Sequence, residues 1–434
     1  MNLTLRSFRV KDVALGKETR FKDGLLQIND QEIKARVLED KNIKDASIEL
    51  ARPGESARII HVLDAVEPRC KADDSPSCFP GFLGLPATVG SGTTNRLEGV
   101  ALVAIGMEMH IPIGGDAGVL EFNEGFIDMS GPGKGLSACS DTLNICLCLT
   151  MHAHVTVPEF SASANMAALK IADYLARATL GQTPDTVENL STGVADPSLP
   201  KVAYINQIQS QGMMCRTYLY GMPMEGFFTP TVLHPNELMD GAIVSANYRN
   251  LMRYCTYLQQ NNSVVRELYA RHGVDINFVG MVVTRGHYDD HPMKHRSGNY
   301  AAKLVKLMDA DACILTIEGT GNSNIDYMET IAALEKSGVA AVPIVHEYGG
   351  PVGDGPSLLL AYPEATSLVT GGGVERIMDM PPMERVVGGT VARFAVDDTM
   401  PGDFNPHQGF KGGPMYYFCG FRMLQDNGYR AIQY

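Results

Sequence analysis

Residues 285–296 read Arg-Gly-His-Tyr-Asp-Asp-His-Pro-Met-Lys-His-Arg and place His287, Asp289, Asp290, His291 and His295 within nine positions. Imidazole with carboxylate is the ligand set of zinc and other first-row metals. His287 and His291, joined by His346 or Glu347 from another segment, make a set for one divalent ion, zinc before others. The plainer reading is a solvated charged loop with Asp–His and Asp–Lys pairs. His152 and His154 stand two apart on an extended segment, so they face one side and can share a metal. Glu318 and Glu347 each follow an apolar run and are suited to holding an amine or moving a proton. Arg52 and Arg69 are suited to clamping a carboxylate, with Glu55 and Glu67 beside them. The plainer reading of both pairs is turn chemistry and ion pairing. The run Gly90-Ser91-Gly92-Thr93-Thr94 lacks the lysine and the strand–turn–helix context of a phosphate loop. No Ser–His–Asp arrangement stands in a usable context, and Cys139 is the one alternative nucleophile.

The elements that must position these residues differ between the two halves of the chain. Residues 3–29 alternate around Lys22-Asp23-Gly24 and read as a hairpin. A helix is expected over 31–39, opened by Asp30 as its N-cap. Strands are expected at 46–51, 57–66, 98–106, 143–150 and 201–209, with a helix at 161–178 where apolar residues recur at helical spacing. Beyond residue 262 the pattern is regular. Helices at 262–272, 297–308 and 326–337 alternate with strands at 276–284, 312–317 and 339–345, and a further strand falls near 366–370. Apolar strands alternating with helices predict a parallel sheet, whose ligands bind outside the carboxyl ends of the strands. Those ends are His287, Glu318, and His346 with Glu347. The fold class expected is α/β. It comprises an N-terminal β-rich α/β domain (1–230), a connecting stretch (231–262) and a C-terminal doubly wound domain of Rossmann or flavodoxin-like kind (263–434). The stretch Thr231–Asn262 mixes apolar residues with His234, Asn236, Glu237, Asp240, Asn247 and Asn261, all of which need partners. It therefore reads as ordered and packed between the halves, where ligand sites are common.

Composition narrows the function. Of 434 residues, 49 are acidic and 36 are Lys or Arg, for a formal charge of −13. That balance argues against nucleic acid and against an anionic membrane surface. No apolar run reaches the ~20 residues of a membrane span, and the first residues lack a secretory pattern. Nine scattered cysteines without a CxxC pair read as reduced thiols in a cytoplasm.

Several segments together carry a resemblance. Arg52-Pro53-Gly54-Glu55-Ser56, Glu67-Pro68-Arg69, Phe79-Pro80-Gly81-Phe82, Ile127-Asp128-Met129-Ser130-Gly131-Pro132-Gly133, Leu233-His234-Pro235-Asn236-Glu237, Asp240-Gly241-Ala242 and Arg271-His272-Gly273 occur in order. Over about residues 1–390 the chain resembles the component B proprotein of glycine, sarcosine and betaine reductases, related to the D-proline reductase proprotein. The resemblance implies a substrate-binding part of a complex that reductively cleaves a C–N bond, acting on a small amine or amino-acid-like substrate beside a second reductase subunit. It also implies self-cleavage before a cysteine that becomes a pyruvoyl group. This sequence departs from the pattern there. The slot falls at Asn247–Tyr248, and no cysteine lies between 216 and 254. A pyruvoyl group is therefore not expected. Tyr248 is placed at the catalytic position, and Asn247 and His234 on the substrate. A divalent metal acting as Lewis acid is expected in its stead, in an uncleaved, oligomeric chain. Two alternatives stand beside this reading: a non-catalytic binding or scaffold subunit of such a complex, and a metal-dependent hydrolase or lyase.

Overall fold

The computed structural model describes residues 1–107, 125–210, 216–245, 253–319, 321–350, 352, 355, 358–393, 403–412 and 430–433. The chain is a mixed α/β protein. Its early strands are β1 (Leu3–Arg9), β2 (Ile43–Ala51), β3 (Val62–Val66), β4 (Arg69–Lys71), β5 (Gly92–Glu98), β6 (Val100–Gly106), β7 (Leu143–Met151) and β8 (Thr186–Leu190). They form two four-stranded sheets, ordered β8-β1-β5-β4 and β2-β7-β6-β3. Only Arg20–Lys22 and Leu25–Ile28 close the hairpin around Asp23-Gly24. The alternation of 3–9 belongs elsewhere, because β1 pairs in parallel with β5 and antiparallel with β8. Its Leu3, Leu5, Ser7 and Phe8 are all buried, which suits an inner strand and not half of an isolated hairpin. Helix α1 (Asp30–Val37) is capped by Asn29, one residue before the expected Asp30, whose side chain accepts from the backbone of Gln31 and Glu32. Helix α2 (Val157–Ala176) opens on a Thr156/Glu159 capping box. It buries Ala164, Ala168, Ile171 and Leu175 with Leu63, Leu102 and Leu147 of the second sheet.

The stretch after residue 231 holds two short helices, α3 (Pro235–Met239) and α4 (Thr256–Gln260). Beyond it come α5 (Ser263–Arg271), α6 (His291–Leu307) and α7 (Asn322–Lys336). Helix α6 starts at His291, six residues before its expected start, because Asp290 caps it by accepting from Met293 N at 2.8 Å and Pro292 follows at the first turn. The second half of the expected histidine loop, from His291, is thus helix. Gly298 lets α6 approach α7, since a Cβ there would lie 2.8 Å from the backbone of Glu329.

The later strands are β9 (Lys201–Gln209), β10 (Thr231–Leu233), β11 (Asn277–Gly286), β12 (Ala312–Ile317), β13 (Ala340–Glu347), β14 (Ser367–Gly373) and β15 (Arg430–Gln433). They form one seven-stranded sheet, ordered β10-β11-β9-β12-β13-β14-β15. The inner five are parallel, and β10 and β15 run antiparallel at the edges. Counted along the chain, the parallel strands lie in the order 2-1-3-4-5, so the order reverses between β9 and β12. Strand β9 precedes residue 230, so the sheet draws its first strand from inside the span expected to form the N-terminal domain. One buried apolar cluster runs from Leu5 and Ile105 through Met239 and Leu258 to Ile205 and Leu315.

A buried cation binds the early sheets to the 231–262 stretch. Arg69 is fully buried; its Nε donates to Glu67 at 2.7 Å, Nη1 to Met239 O at 2.6 Å and Nη2 to Asn261 Oδ1 at 2.8 Å. Removing one partner of such a buried pair strands the other. Arg69→Ala should lower unfolding free energy by about 3–5 kcal/mol, measured by urea denaturation. A loss under ~1 kcal/mol, the size typical of exposed pairs, would show that Arg69 does not join the two parts.

Candidate functional site

Polar side chains gather at the carboxyl ends of β9 and β12, where the strand order reverses. The sequence ends β12 with Glu318 and then Gly319, whose φ of +81° and missing Cβ leave room for Gln209; a Cβ there would lie 1.9 Å from Gln209 Oε1. Glu318 is fully buried. Its Oε2 accepts from Gln209 N at 3.1 Å, and its Oε1 from Gln259 Nε2 of α4 at 2.6 Å. Gln259 is held in turn by Asn206 Nδ2 at 2.9 Å. Arg253 Nε stands 3.9 Å from Glu318 Oε2, and its Nη2 donates to Thr217 Oγ1. Burial pushes the Glu318 carboxyl up to about 7, against the opposing pull of Arg253 and of its hydrogen bonds.

A second buried acid lies on the other side of the 231–262 stretch. Asp64 of β3 accepts from Thr256 N at 2.9 Å and Thr256 Oγ1 at 2.6 Å. Burial raises it also to about 7. Thr256 Oγ1 further accepts from Ser245 N at 2.9 Å. Two acids poised near neutrality, both under the pull of the buried Arg253 guanidinium, can exchange protons with a bound amine.

The residues singled out from sequence have separate fates. Glu318 sits in this cluster. Glu347 ends β13 and accepts from Thr370 Oγ1 at 2.5 Å. His346 is fully buried, with Nε2 3.0 Å from Tyr348 OH, and burial drives it down to about 3. His287 has a φ of +68°, and its N–H donates to Asp326 Oδ2 at 2.7 Å. Burial, with Lys294 and Arg285 nearby, lowers its pKa. His291 is exposed on α6, 3.7 Å from Glu329, while His295 contacts the same carboxylate at 2.8 Å. His152 and His154 are exposed after β7, their rings 5.7 Å apart. The five histidines proposed as metal ligands are therefore spread over different places. Among the described residues, no group of three or more His, Cys, Asp and Glu side chains is arranged to hold a metal ion.

The expected substrate contacts have partners within the chain. Arg52 donates to Val13 O at 2.8 Å and Asp12 Oδ1 at 3.2 Å, and Glu55 pairs with Arg385 at 3.3 Å. Glu67 and Arg69 form the buried pair described above. His234 caps α3: its Nδ1 accepts from Asn236 N at 3.3 Å, and burial lowers it to about 4. Asn247 and Tyr248 lie outside the described residues. Sequence reasoning missed Gln209, Arg253, Gln259, Asp64 and Thr256. Two left a signal, since Arg253 and Asp64 are lone charges inside apolar runs, Leu251-Met252-Arg253-Tyr254 and Val62-Leu63-Asp64-Ala65-Val66.

The fold and this cluster define a mixed α/β protein with a buried acid and amide site at the carboxyl ends of inner parallel strands. The chain belongs to the family of glycine/sarcosine/betaine reductase component B subunits, whose family model matches residues 1–408. It is 35% identical over 397 residues to "Glycine reductase complex component B subunits alpha and beta" of Acetoanaerobium sticklandii, covering 89% of each chain. It is 36% identical to "Sarcosine reductase complex component B subunit alpha" of Peptoclostridium acidaminophilum, again over 89% of each. A more distant relative is "D-proline reductase proprotein PrdA" of Acetoanaerobium sticklandii, 21% identical over 79% of this chain and 54% of that protein. No solved structure matches the chain. No helix among the described residues is long and apolar enough to cross a membrane.

The raised acid gives a pH signature. Glu318 titrates near ~4.3 when unfolded and at about 7 when folded. Folding therefore takes up a proton between those values, and the group lowers stability as pH rises through that window, levelling off above about 7. His346 acts oppositely, because its pKa is depressed to about 3 and its contribution is lost as pH falls toward that value. Comparing wild type with Glu318→Gln cancels His346 and isolates the acid. The variant should gain stability relative to wild type as pH rises from ~4 to about 7, read from urea midpoints. A difference that does not change with pH would contradict the raised acid.

Proposed function

We propose that this chain is the substrate-binding component of a reductase-type complex that cleaves a C–N bond in a small nitrogenous substrate, working beside a second reductase subunit. The observation that supports it best is Glu318, a buried acid near neutrality at the strand-order reversal of a component B family member. Its carboxyl is oriented by Gln259 and the backbone of Gln209. It is suited to take a proton from a bound ammonium group and return one to a leaving amine. The order 2-1-3-4-5 fits a doubly wound, flavodoxin-like C-terminal unit, in which a ligand lies at the reversal.

The pyruvoyl group that the resemblance implies does not fit the residues present. No cysteine lies in 216–254. Cys255, the next thiol, is buried against Cys139, and burial together with that contact raises it well above the ordinary thiol range. We therefore read the chain as uncleaved and derive no step through a pyruvoyl group. An electrophile has then to come from outside the polypeptide, from a bound divalent ion or from the partner subunit, and the scattered histidines give no geometry for routing a step through an ion. The missing cysteine equally suits a subunit that binds substrate without chemistry of its own.

Two measurements test this reading. Intact mass spectrometry should return one full-length chain; two fragments with a carbonyl at a new amino end would end the uncleaved reading. Titration calorimetry with glycine, sarcosine and betaine should show binding of at least one, weakened tenfold or more in Glu318→Ala. Failure of all three to bind at millimolar concentration would end the substrate-binding role. Binding without turnover in the presence of the partner subunit would favour the non-catalytic form.

A further inference from the structure

We infer that Arg253, flanked by Gln209, forms an oxyanion subsite that takes a carboxylate on the ligand held at Glu318. The inference rests on the reading just given and adds a second anchor to it. Arg253 is fully buried and carries five N–H donors. Nη2 donates to Thr217 Oγ1, and Nε is 3.9 Å from Glu318, too long for a hydrogen bond. Among the described residues, neither Nε nor Nη1 has a hydrogen-bond partner. Gln209 is also fully buried, and both atoms of its side-chain amide are without a partner among the described residues. The two residues share neighbours. Glu318 Oε2 accepts from Gln209 N and faces Arg253, while Thr217 Oγ1 accepts from Arg253 and donates to Gln209 O at 3.4 Å.

Two other buried arginines show what a structural guanidinium looks like in this chain. Arg58 donates from Nε and Nη2 to Asp128 at 2.6 and 2.8 Å, and from Nη1 to Pro406 O at 2.9 Å. Arg69 likewise uses all three of its nitrogens. A buried donor left unmade costs about 1–3 kcal/mol, so Arg253 and Gln209 together hold a polar deficit that an incoming group can fill. The donors carry positive charge, and Gln209 adds an amide N–H. A planar oxyanion matches that set. Glu318, 3.9 Å from Nε, would repel a ligand that is only an anion, which points to one with an amine close to its carboxylate.

The test uses the full-length chain with acetate and methylammonium as separate probes, followed by ligand-observed NMR and thermal melting. Acetate should bind the wild type. Arg253→Met should weaken acetate at least tenfold, with an unchanged or higher melting temperature, because an underpaired buried charge gives way to apolar packing. Arg253→Lys keeps a charge but not the planar fork, and should also weaken acetate about tenfold, a factor of ~1.4 kcal/mol. Glu318→Gln should tighten acetate by removing the neighbouring negative charge. Methylammonium binding should survive Arg253→Met. Acetate affinity unchanged in Arg253→Met would overturn the subsite, and so would no acetate binding to wild type. If Arg253→Met fails to fold, wild-type acetate affinity in Arg253→Lys would overturn it. Failure of methylammonium alone would count against the amine-binding role of Glu318 and leave the oxyanion subsite standing.

Discussion

Charge buried between the early sheets and the 231–262 stretch must be neutralised where the two meet, and the rest of the architecture follows from how that is done. Asp240 lies fully buried just after α3. It accepts from Lys71 of β4, from Thr94 Oγ1 of β5 at 2.6 Å and from Gly90 N at 2.8 Å. Arg69 spans the same join in the same sense, with a cation on the early sheet and acceptors on the stretch. Asp64 does so a third time through Thr256. A buried ion without its partner costs several kcal/mol, so a slip of the stretch along the sheets would strand all three at once. This is a condition on register that apolar packing alone would enforce only weakly.

With the stretch fixed, α4 has one place to lie. Gln259 comes to rest between Asn206 of β9 and Glu318 beyond β12. The amide bridges two strand ends that are neighbours in the sheet but more than a hundred residues apart in the chain. Burial and hydrogen bonding then act on Glu318 in opposite directions. Arg253, the backbone N–H groups of Gln209 and Tyr254, and the Gln259 amide favour its ionised form, while loss of water favours the neutral one. Loss of water prevails, and the acid is left near about 7. The same balance at Asp64 gives the same result. A site that holds a proton near neutrality thus arises from the demands of the join.

Much of the later alternation was legible in the sequence because it depends on local pattern. The strands at 201–209 and 312–317 fall where apolar runs place them, and the placement of Glu318 at a strand end followed directly. What misled the reading was also local. Asp290-His291-Pro292 is a helix-start signal, yet the density of histidines made the segment look like a ligand loop. The pairing of β1 with β5 and β8 could not be read, since partners some ninety and one hundred and eighty residues away leave no mark on the alternation itself. Arg253 and Asp64 were visible as charges in apolar runs. Whether such a charge is saturated like Arg69 or underpaired like Arg253 depends on neighbours that only the fold supplies.

Glu318 and His346 make the same point from the chemical side. Both are polar residues at the carboxyl ends of adjacent parallel strands, and by sequence alone they have equal standing. In the fold they differ. His346 lies one strand further from the order reversal and is closed in by Tyr348, whose hydroxyl donates onward to Asn324 at 3.1 Å. Burial there removes its charge over the whole neutral range, and a neutral imidazole tied to a phenol is a packing element. Glu318 stands at the reversal itself, the place in such sheets where ligands bind. It meets amides and a guanidinium in place of a sealed phenol, so it keeps both protonation states within reach. Strand order, which no segment of the sequence carries by itself, is what sets these two residues apart.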